Sequence, residues 1–515
     1  MQALRIPALV VVPVTAAALL VGGCSDAEFE YPGTGQRDAF YAQPVEWLPC
    51  VESEPSDWFP DIRADDRTCA RILAPLSYHA AGRLAPDTGL TVSLAVARQP
   101  AEAEKHGTLL LISGGPGGPG LSMLDMALPE QIRRHYDIVA YDPRGVGRST
   151  PQIRCDPTDI DPTREQDSVA ATEASRRDFV YSCMRGTAAE VLAHIGSDEA
   201  AEDIDILRGV LGEPQLNILA ASYGTQVAAM YIDRYPNGYR AAVLDGVVDV
   251  TENSTQMYVG QEKGYQETFD RVAVFCAGRY RAEGHPECPL GDDPAQAENV
   301  FRGVLRDAKD HPVAAGAAQA VEPGDILKAL VASYLWPEGW APYLDALGAV
   351  RHGDGAPMRV LADAETGLNY WTSGMEDNAL VAITCADVAE PTDDRAARQA
   401  DGAAMYDAAT FDDYAPRPAE FPLDTCDFWP FAGTAKAFRP HRGDSSAPVL
   451  FVGTRHDPTT PLRNAERMAD YLDSPLLTRE GDGHTFVFND VNQCIDDLVV
   501  RYLGDPFSAR NAVCQ

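Results

Sequence analysis

Leu216-Asn-Ile-Leu-Ala-Ala-Ser222-Tyr-Gly-Thr-Gln226 decides how the rest of the chain is read. The apolar run Leu216–Ala220 shows no period-two alternation, which suits a strand buried on both faces, as in a parallel sheet. It leads into Ala221-Ser222-Tyr223-Gly224-Thr225, and a helix-forming segment, Gln226–Tyr235, follows at once. A strand, a turn with small residues around a serine, and then a helix would lift the hydroxyl above the carboxyl edge of the sheet. There the N-terminus of the helix adds positive potential. The usual form of such a turn is G-x-S-x-G; here Ala220 takes the first position and remains small enough to let strand and helix approach.

Outward from this turn the same rhythm recurs. Thr108–Ile112, Tyr136–Ala140, Ala241–Leu244, Val449–Val452 and Leu476–Thr478 are short continuous apolar runs, with helix-length segments such as Ala200–Leu211 between them. Strands alternating with helices predict an α/β fold with a mostly parallel, doubly wound sheet. Leu90–Arg98 alternates with period two and is expected at an antiparallel edge. Between about 250 and 440 the rhythm stops. Helical segments dominate there (Gln256–Val274, Asp325–Leu335, Ala341–Arg351, Asp394–Ala408), with a loop holding Trp336-Pro-Glu-Gly-Trp340. The expected division is a core in two parts, 46–250 and 441–515, interrupted by a mainly helical cap over 251–440. No internal repeat or extended low-complexity tract is present.

Two loops beyond late strands complete a chemical set with Ser222. Gly453-Thr-Arg-His-Asp457-Pro-Thr-Thr-Pro461 follows one run, and Gly481-Asp-Gly-His484-Thr-Phe follows the next. A serine hydroxyl is a poor nucleophile until a neutral imidazole takes its proton, and a carboxylate must hold that imidazole in the right tautomer. Ser222, Asp457 and His484 are therefore the predicted triad, in the chain order Ser, Asp, His. Asp482 competes for the acid role but lies too near His484 in sequence to come from a separate strand end, and His456 is read as incidental. Asp457 before Pro458 could otherwise be a simple turn former. Upstream, Ser113-Gly-Gly-Pro-Gly-Gly-Pro-Gly120 follows an apolar run. Glycines there let backbone N–H groups approach a developing oxyanion. The expected donors are the amide of Tyr223 and one amide from Gly114 or Gly115. A phosphate-binding loop is the competing reading; it lacks the Gly-Lys-Ser/Thr ending such loops carry.

Composition limits partners and compartment. The 515 residues carry a formal charge of −35, which repels nucleic acid and anionic lipid headgroups. Nucleic acid is excluded as a partner. Arg5, the apolar run Ile6–Val21 and Gly22-Gly23-Cys24 read as an export signal over 1–23. Val21-Gly22-Gly23-Cys24 looks like a bacterial lipobox, with Cys24 as the lipid attachment site and the only membrane contact. Ordinary cleavage nearby, releasing a secreted protein, is the alternative. Residues 24–45, rich in Gly, Pro, Asp and Gln, form a tether. Ten cysteines remain, an even number that in an oxidising compartment predicts five disulfides. Sequence cannot fix the connectivity; pairing of neighbours, 50–69, 155–183, 276–288, 385–426 and 494–514, is the working expectation. No cysteine or histidine spacing suits a metal, and no cofactor is expected.

Taken together, Ser113-Gly-Gly-Pro-Gly117, Tyr141-Asp-Pro-Arg-Gly-Val-Gly-Arg-Ser149, Ser222-Tyr-Gly-Thr225, Leu244-Asp-Gly-Val-Val248, Asp457-Pro-Thr-Thr-Pro461 and Gly483-His484 resemble the prolyl-aminopeptidase branch of α/β-hydrolases. The closest likeness is to its exported tripeptidyl-aminopeptidase group, over roughly 45–515. That resemblance implies an α/β-hydrolase fold and a serine exopeptidase that releases residues or short peptides from free N-termini through an acyl-enzyme on Ser222. Ser113 stands where prolyl aminopeptidases carry His, as in the tripeptidyl group. Acidic residues of the cap could bind the substrate α-amino group; Glu338, Asp387 and Glu390 are the candidates. A carboxylesterase or lipid hydrolase using the same triad, and a non-catalytic binding protein on this scaffold, are the competing functions. Oligomeric state is not predicted.

Overall fold

The unalternating apolar runs become the middle of one large sheet in a computed structural model that describes residues 37–50, 67–78, 89–156, 168–285, 287–316, 319–365, 375–390, 394–443 and 446–515. The expected signal segment, Cys24 and the first part of the tether lie outside the described residues. Among those described, the strands in chain order are β1 (Leu48–Pro49), β2 (Thr68–Pro75), β3 (Thr91–Gln99), β4 (Gly107–Ile112), β5 (Tyr136–Tyr141), β6 (Leu216–Ala221), β7 (Tyr239–Asp245), β8 (Val313–Ala314), β9 (Ala320–Val321), β10 (Leu450–His456), β11 (Leu476–Asp482) and β12 (Ala512–Cys514). All but β8 and β9 form one sheet in the order β1-β2-β3-β5-β4-β6-β7-β10-β11-β12. From β5 to β12 every neighbouring pair is parallel, whereas β1, β2 and β3 run antiparallel up to β5.

The absence of alternation has its expected cause. Leu110 and Ile112 of β4 belong to the apolar core on one face, while Leu109 and Leu111 belong to the core on the other. One expectation is corrected. The strand read at Leu90–Arg98 is not an edge, because β3 pairs with β5 on one side and, from Thr91 to Arg98, with β2 on the other. Strand β2, which carries Arg71 in its middle, displaces it from the rim.

Between β7 and β10 the chain is mostly helical and builds its own apolar cluster around Phe269, Phe301, Tyr334, Leu344 and Phe411. The helix Ser254–Phe275 opens this stretch, with Asn253 and Gln256 forming a reciprocal cap at its start. It crosses the loops beyond β10 and β11. A Cβ at Gly264 would lie 2.4 Å from the Pro458 carbonyl oxygen, Glu267 meets His456, and Arg271 grips Asp482 with two nitrogens. Helix and sheet edge are thus in direct contact where the predicted acid and base loops emerge. All five disulfides join sequence neighbours as expected: Cys50–Cys69, Cys155–Cys183, Cys276–Cys288, Cys385–Cys426 and Cys494–Cys514. Each contributes roughly 2–4 kcal/mol by restricting the unfolded chain.

The segment Tyr141–Ser149 proves to be a structural lock. Arg144 is wholly buried, and its five N–H groups are all used. They reach both carboxylate oxygens of Asp203 (2.5 and 2.8 Å) and the carbonyls of Pro75, Leu76 and His194. Asp203 also accepts from the Tyr78 hydroxyl at 2.6 Å. Removing one partner of a buried ion pair leaves the other charge uncompensated. Arg144→Ala should therefore lower the unfolding free energy by about 3–5 kcal/mol, read as a shift of the guanidinium midpoint with the disulfides intact.

Candidate active site

Ser222 sits at the carboxyl end of β6 with φ at 55°, a left-handed conformation unusual for a residue with a side chain. Its surroundings hold it there. The Ser222 N–H donates to the Asp245 carbonyl (2.8 Å), and the Ser222 carbonyl accepts from the Thr225 N–H (2.8 Å) and hydroxyl (2.6 Å). The small neighbours noted in the sequence have a steric reason. A Cβ on Gly224 would fall 2.6 Å from the Ser113 carbonyl oxygen, so only glycine lets the helix Gly224–Arg234 start this close to β4. A Cβ on Gly114 would fall 2.8 Å from that of Ser222, so the glycine-rich loop lies directly against the serine turn.

Asp457 and His484 meet, both nearly buried at 4% and 6% exposure. His484 Nδ1 is 2.8 Å from Asp457 Oδ2 and 3.0 Å from Oδ1. The carboxylate is itself fixed: Oδ1 accepts from the amides of Thr459 (2.9 Å) and Thr460 (2.8 Å), and Oδ2 from the Thr460 hydroxyl (2.9 Å). With Nδ1–H directed to the carboxylate, Nε2 keeps its lone pair. Nε2 is buried and no described residue hydrogen-bonds to it, Ser222 included. Such contacts commonly tighten only when substrate fills a site. Burial acts to lower the His484 pKa, but the charge and hydrogen bond of Asp457, with a smaller effect from Asp245, outweigh it and raise the pKa above the ordinary value.

Asp245 links the two halves. Its carbonyl holds Ser222, and its carboxylate accepts from the amides of Phe486 (2.7 Å) and Val487 (2.8 Å) just beyond His484. Burial pushes its pKa up to about 6. A Cβ on the next residue, Gly246 (φ 67°), would lie 2.7 Å from His484 Cε1. The imidazole therefore packs against the same short stretch of backbone that anchors the serine turn. On the other side, the His484 N–H donates to the Leu335 carbonyl (2.8 Å).

The remaining predicted residues divide. Gly114 and Gly115 lie in a curled loop closed by a Gly118 N–H to Gly114 carbonyl bond of 3.3 Å, and Tyr223 stands at the start of the helix that follows Ser222. Glu338 is exposed, in the turn Pro337–Gly339 that follows Leu335, and its charge is felt by Arg479. Glu390 is exposed and already paired with Arg398 at 3.5 Å. Asp387 is corrected as an amine-binding candidate: it is 3% exposed, and both its oxygens are occupied by Ser197, Tyr223 and Gln226. Burial pushes its pKa up to about 7. Asp482 is spent on Arg271, which removes it as a rival acid.

Sequence reasoning missed three groups at this site: Thr460, Asp245 and the Leu335 carbonyl. The first two stood inside quoted motifs without a role.

The chain is similar to known proteins over most of its length. A family model described as alpha/beta hydrolase fold matches residues 107–279, which include the glycine-rich loop and Ser222. One described as TAP-like protein matches 416–514, which include Asp457 and His484. Serine protease Hip1 of Mycobacterium tuberculosis is 32% identical over 493 residues, covering 90% of this chain and 89% of that protein. Carboxylesterase B of the same organism is 32% identical over 495 residues, covering 92% and 91%. Tripeptidyl aminopeptidase of Streptomyces coelicolor is 26% identical over 459 residues, covering 84% and 80%. The chain belongs to the alpha/beta-hydrolase family, in its TAP-like group, and is a serine hydrolase.

Proposed function

We propose that the protein is a serine exopeptidase that removes residues or short peptides from free peptide N-termini through an acyl-enzyme on Ser222. The observation that carries this reading is the buried His484–Asp457 pair, with a free Nε2, packed against the backbone that holds the strained Ser222 turn. His484 Nε2 takes the Ser222 proton as Oγ attacks the scissile carbonyl. The amides of Tyr223 and of Gly114 or Gly115 stabilise the oxyanion. The imidazolium then gives its proton to the leaving amine, and water activated by the same nitrogen releases the acyl group.

The relatives named as serine protease and tripeptidyl aminopeptidase support a peptide substrate. Residues 251–440 serve as a cap, supported by the contacts of the helix Ser254–Phe275 with the loops carrying Asp457 and His484. Within it Glu338, in the turn that follows Leu335, is a group able to receive a substrate ammonium. Five disulfides support an oxidising, extracytoplasmic compartment, reached through the 1–23 signal with lipid attachment at Cys24. The relative named carboxylesterase B favours a second reading, ester hydrolysis by the same triad.

Peptide arylamides with free and N-acetylated termini, tested beside acyl esters, separate these readings. Free-amine peptides should be cleaved, and acetylation should lower kcat/KM roughly 10-fold or more, as expected when a hydrogen bond to a charged group is lost. Ester cleavage with refusal of every free-amine peptide would overturn the exopeptidase reading.

A further inference from the structure

We propose that the helix Met375–Val388 positions both halves of the oxyanion site, holding Tyr223 through Asp387 and the glycine-rich loop through its contact with Gly117. The inference rests on the acyl-enzyme reading above and gives the side chains of Asp387 and Tyr223 a positioning role.

Asp387 is gripped by four donors. Oδ1 accepts from the Ser197 N–H (2.6 Å) and hydroxyl (3.0 Å), and Oδ2 from the Tyr223 hydroxyl (2.8 Å) and Gln226 Nε2 (3.1 Å). Two lone pairs on each oxygen are thereby used. Gln226 Nε2 also donates to the Ser197 hydroxyl at 3.0 Å, which closes the network. Tyr223 and Gln226 bracket the first turn after the nucleophile, and the Gln226 N–H donates to the Tyr223 carbonyl at 2.9 Å. One buried carboxylate thus fixes both ends of the turn whose first amide is an expected oxyanion donor. The same helix meets the other expected donor loop: a Cβ on Gly117 (φ 90°) would lie 3.0 Å from Leu380 N and 3.1 Å from the Ala379 Cβ.

The helix is held without help from the serine turn. Cys385 is bonded to Cys426, and the amides of Gly433, Thr434 and Ala435 donate to the carbonyls of Ala389, Ala386 and Asp387 at 2.6, 3.1 and 3.0 Å. A Cβ on Gly433 would lie 2.4 Å from the Asp387 carbonyl oxygen, and one on Gly196 would lie 2.6 Å from Asp387 Oδ1. With no slack on either side, Asp387 dictates where Tyr223 stands and does not merely follow it. Oxyanion donors act only when they lie within about 2.7–3.1 Å of the developing charge. A small displacement therefore weakens transition-state binding and leaves ground-state binding nearly untouched.

The test is a comparison of kcat and KM for Asp387→Ala, Asp387→Asn and Tyr223→Phe on the best peptide arylamide, with folded sites counted by fluorophosphonate titration. Asp387→Ala should lower kcat about 10–100-fold with KM within about twofold, a fraction of the effect of deleting a donor outright. Tyr223→Phe should lower kcat about 3–10-fold, since one of the four bonds is lost. Asp387→Asn should recover part of the Asp387→Ala loss, because its amide keeps an oxygen for Ser197 and offers an N–H to the Tyr223 hydroxyl, while Gln226 Nε2 loses its acceptor. Wild-type kcat per folded site in Tyr223→Phe overturns the proposal, and this arm decides alone if Asp387→Ala fails to fold. Full activity in Ser222→Ala would instead remove the acyl-enzyme reading on which the proposal stands.

Discussion

Ser222→Ala is expected to lower kcat by about 10⁴–10⁶-fold while leaving the folded protein intact. The serine oxygen forms the only covalent bond to substrate in the proposed mechanism, and the other hydroxyls of the turn are engaged elsewhere, Thr225 on the Ser222 carbonyl and Tyr223 on Asp387. Alanine occupies the same strained backbone as serine, and the bonds that hold the turn come from the main chain of Ser222 and from Thr225. Removing Oγ therefore deletes chemistry without deleting an anchor. Residual turnover would come from the oxyanion donors and from substrate binding. Single-turnover measurement on protein shown to be folded by its unfolding midpoint gives the comparison.

Asp457→Asn should lower kcat about 10⁴-fold through the tautomer of His484. In the wild type, Oδ2 faces Nδ1 at 2.8 Å and keeps the proton there. The amides of Thr459 and Thr460 both donate to Oδ1, so the oxygen of an asparagine side chain would stay with them and its NH₂ would turn toward the imidazole. An N–H facing Nδ1 places the imidazole proton on Nε2, which then cannot accept from Ser222. The pH profile supplies an independent sign. Activity needs neutral His484, so kcat/KM must fall as pH drops through its pKa. Asp457 holds that pKa above the ordinary histidine value, so the acid limb of the wild type should lie higher than that of a free imidazole. In Asp457→Asn burial acts with little opposition, and the limb should move down.

The fold could be read where side-chain pattern and burial coincide. Strands β4, β5, β6, β7, β10 and β11 have both faces covered, so their sequences are apolar without alternation and stand out from the helices between them. Strand β2 did not stand out, since Arg71 interrupts its apolar residues and it lies toward the antiparallel end of the sheet. Strand β12 has only three residues. Ser222, Asp457 and His484 stand out in the sequence because each follows a recognisable strand end. Thr460 and Asp245 were quoted without a role, since their work is to hold other groups and a motif does not show which. Asp387 illustrates the deeper limit. Its partner Tyr223 is 164 residues away, so a reading of local chemistry sees an acidic residue available to substrate, whereas the fold turns it inward onto the nucleophile turn. Disulfide pairing followed chain proximity because each bridge staples neighbouring segments, with separations of 12–41 residues.

Mass mapping of the protein after reaction with a fluorophosphonate bears most directly on the nucleophile. One adduct per folded chain, on the peptide containing Ser222 and absent after prior denaturation, is the predicted result. An adduct on a different residue, or an unmodified Ser222 in folded protein that still turns over substrate, would contradict it.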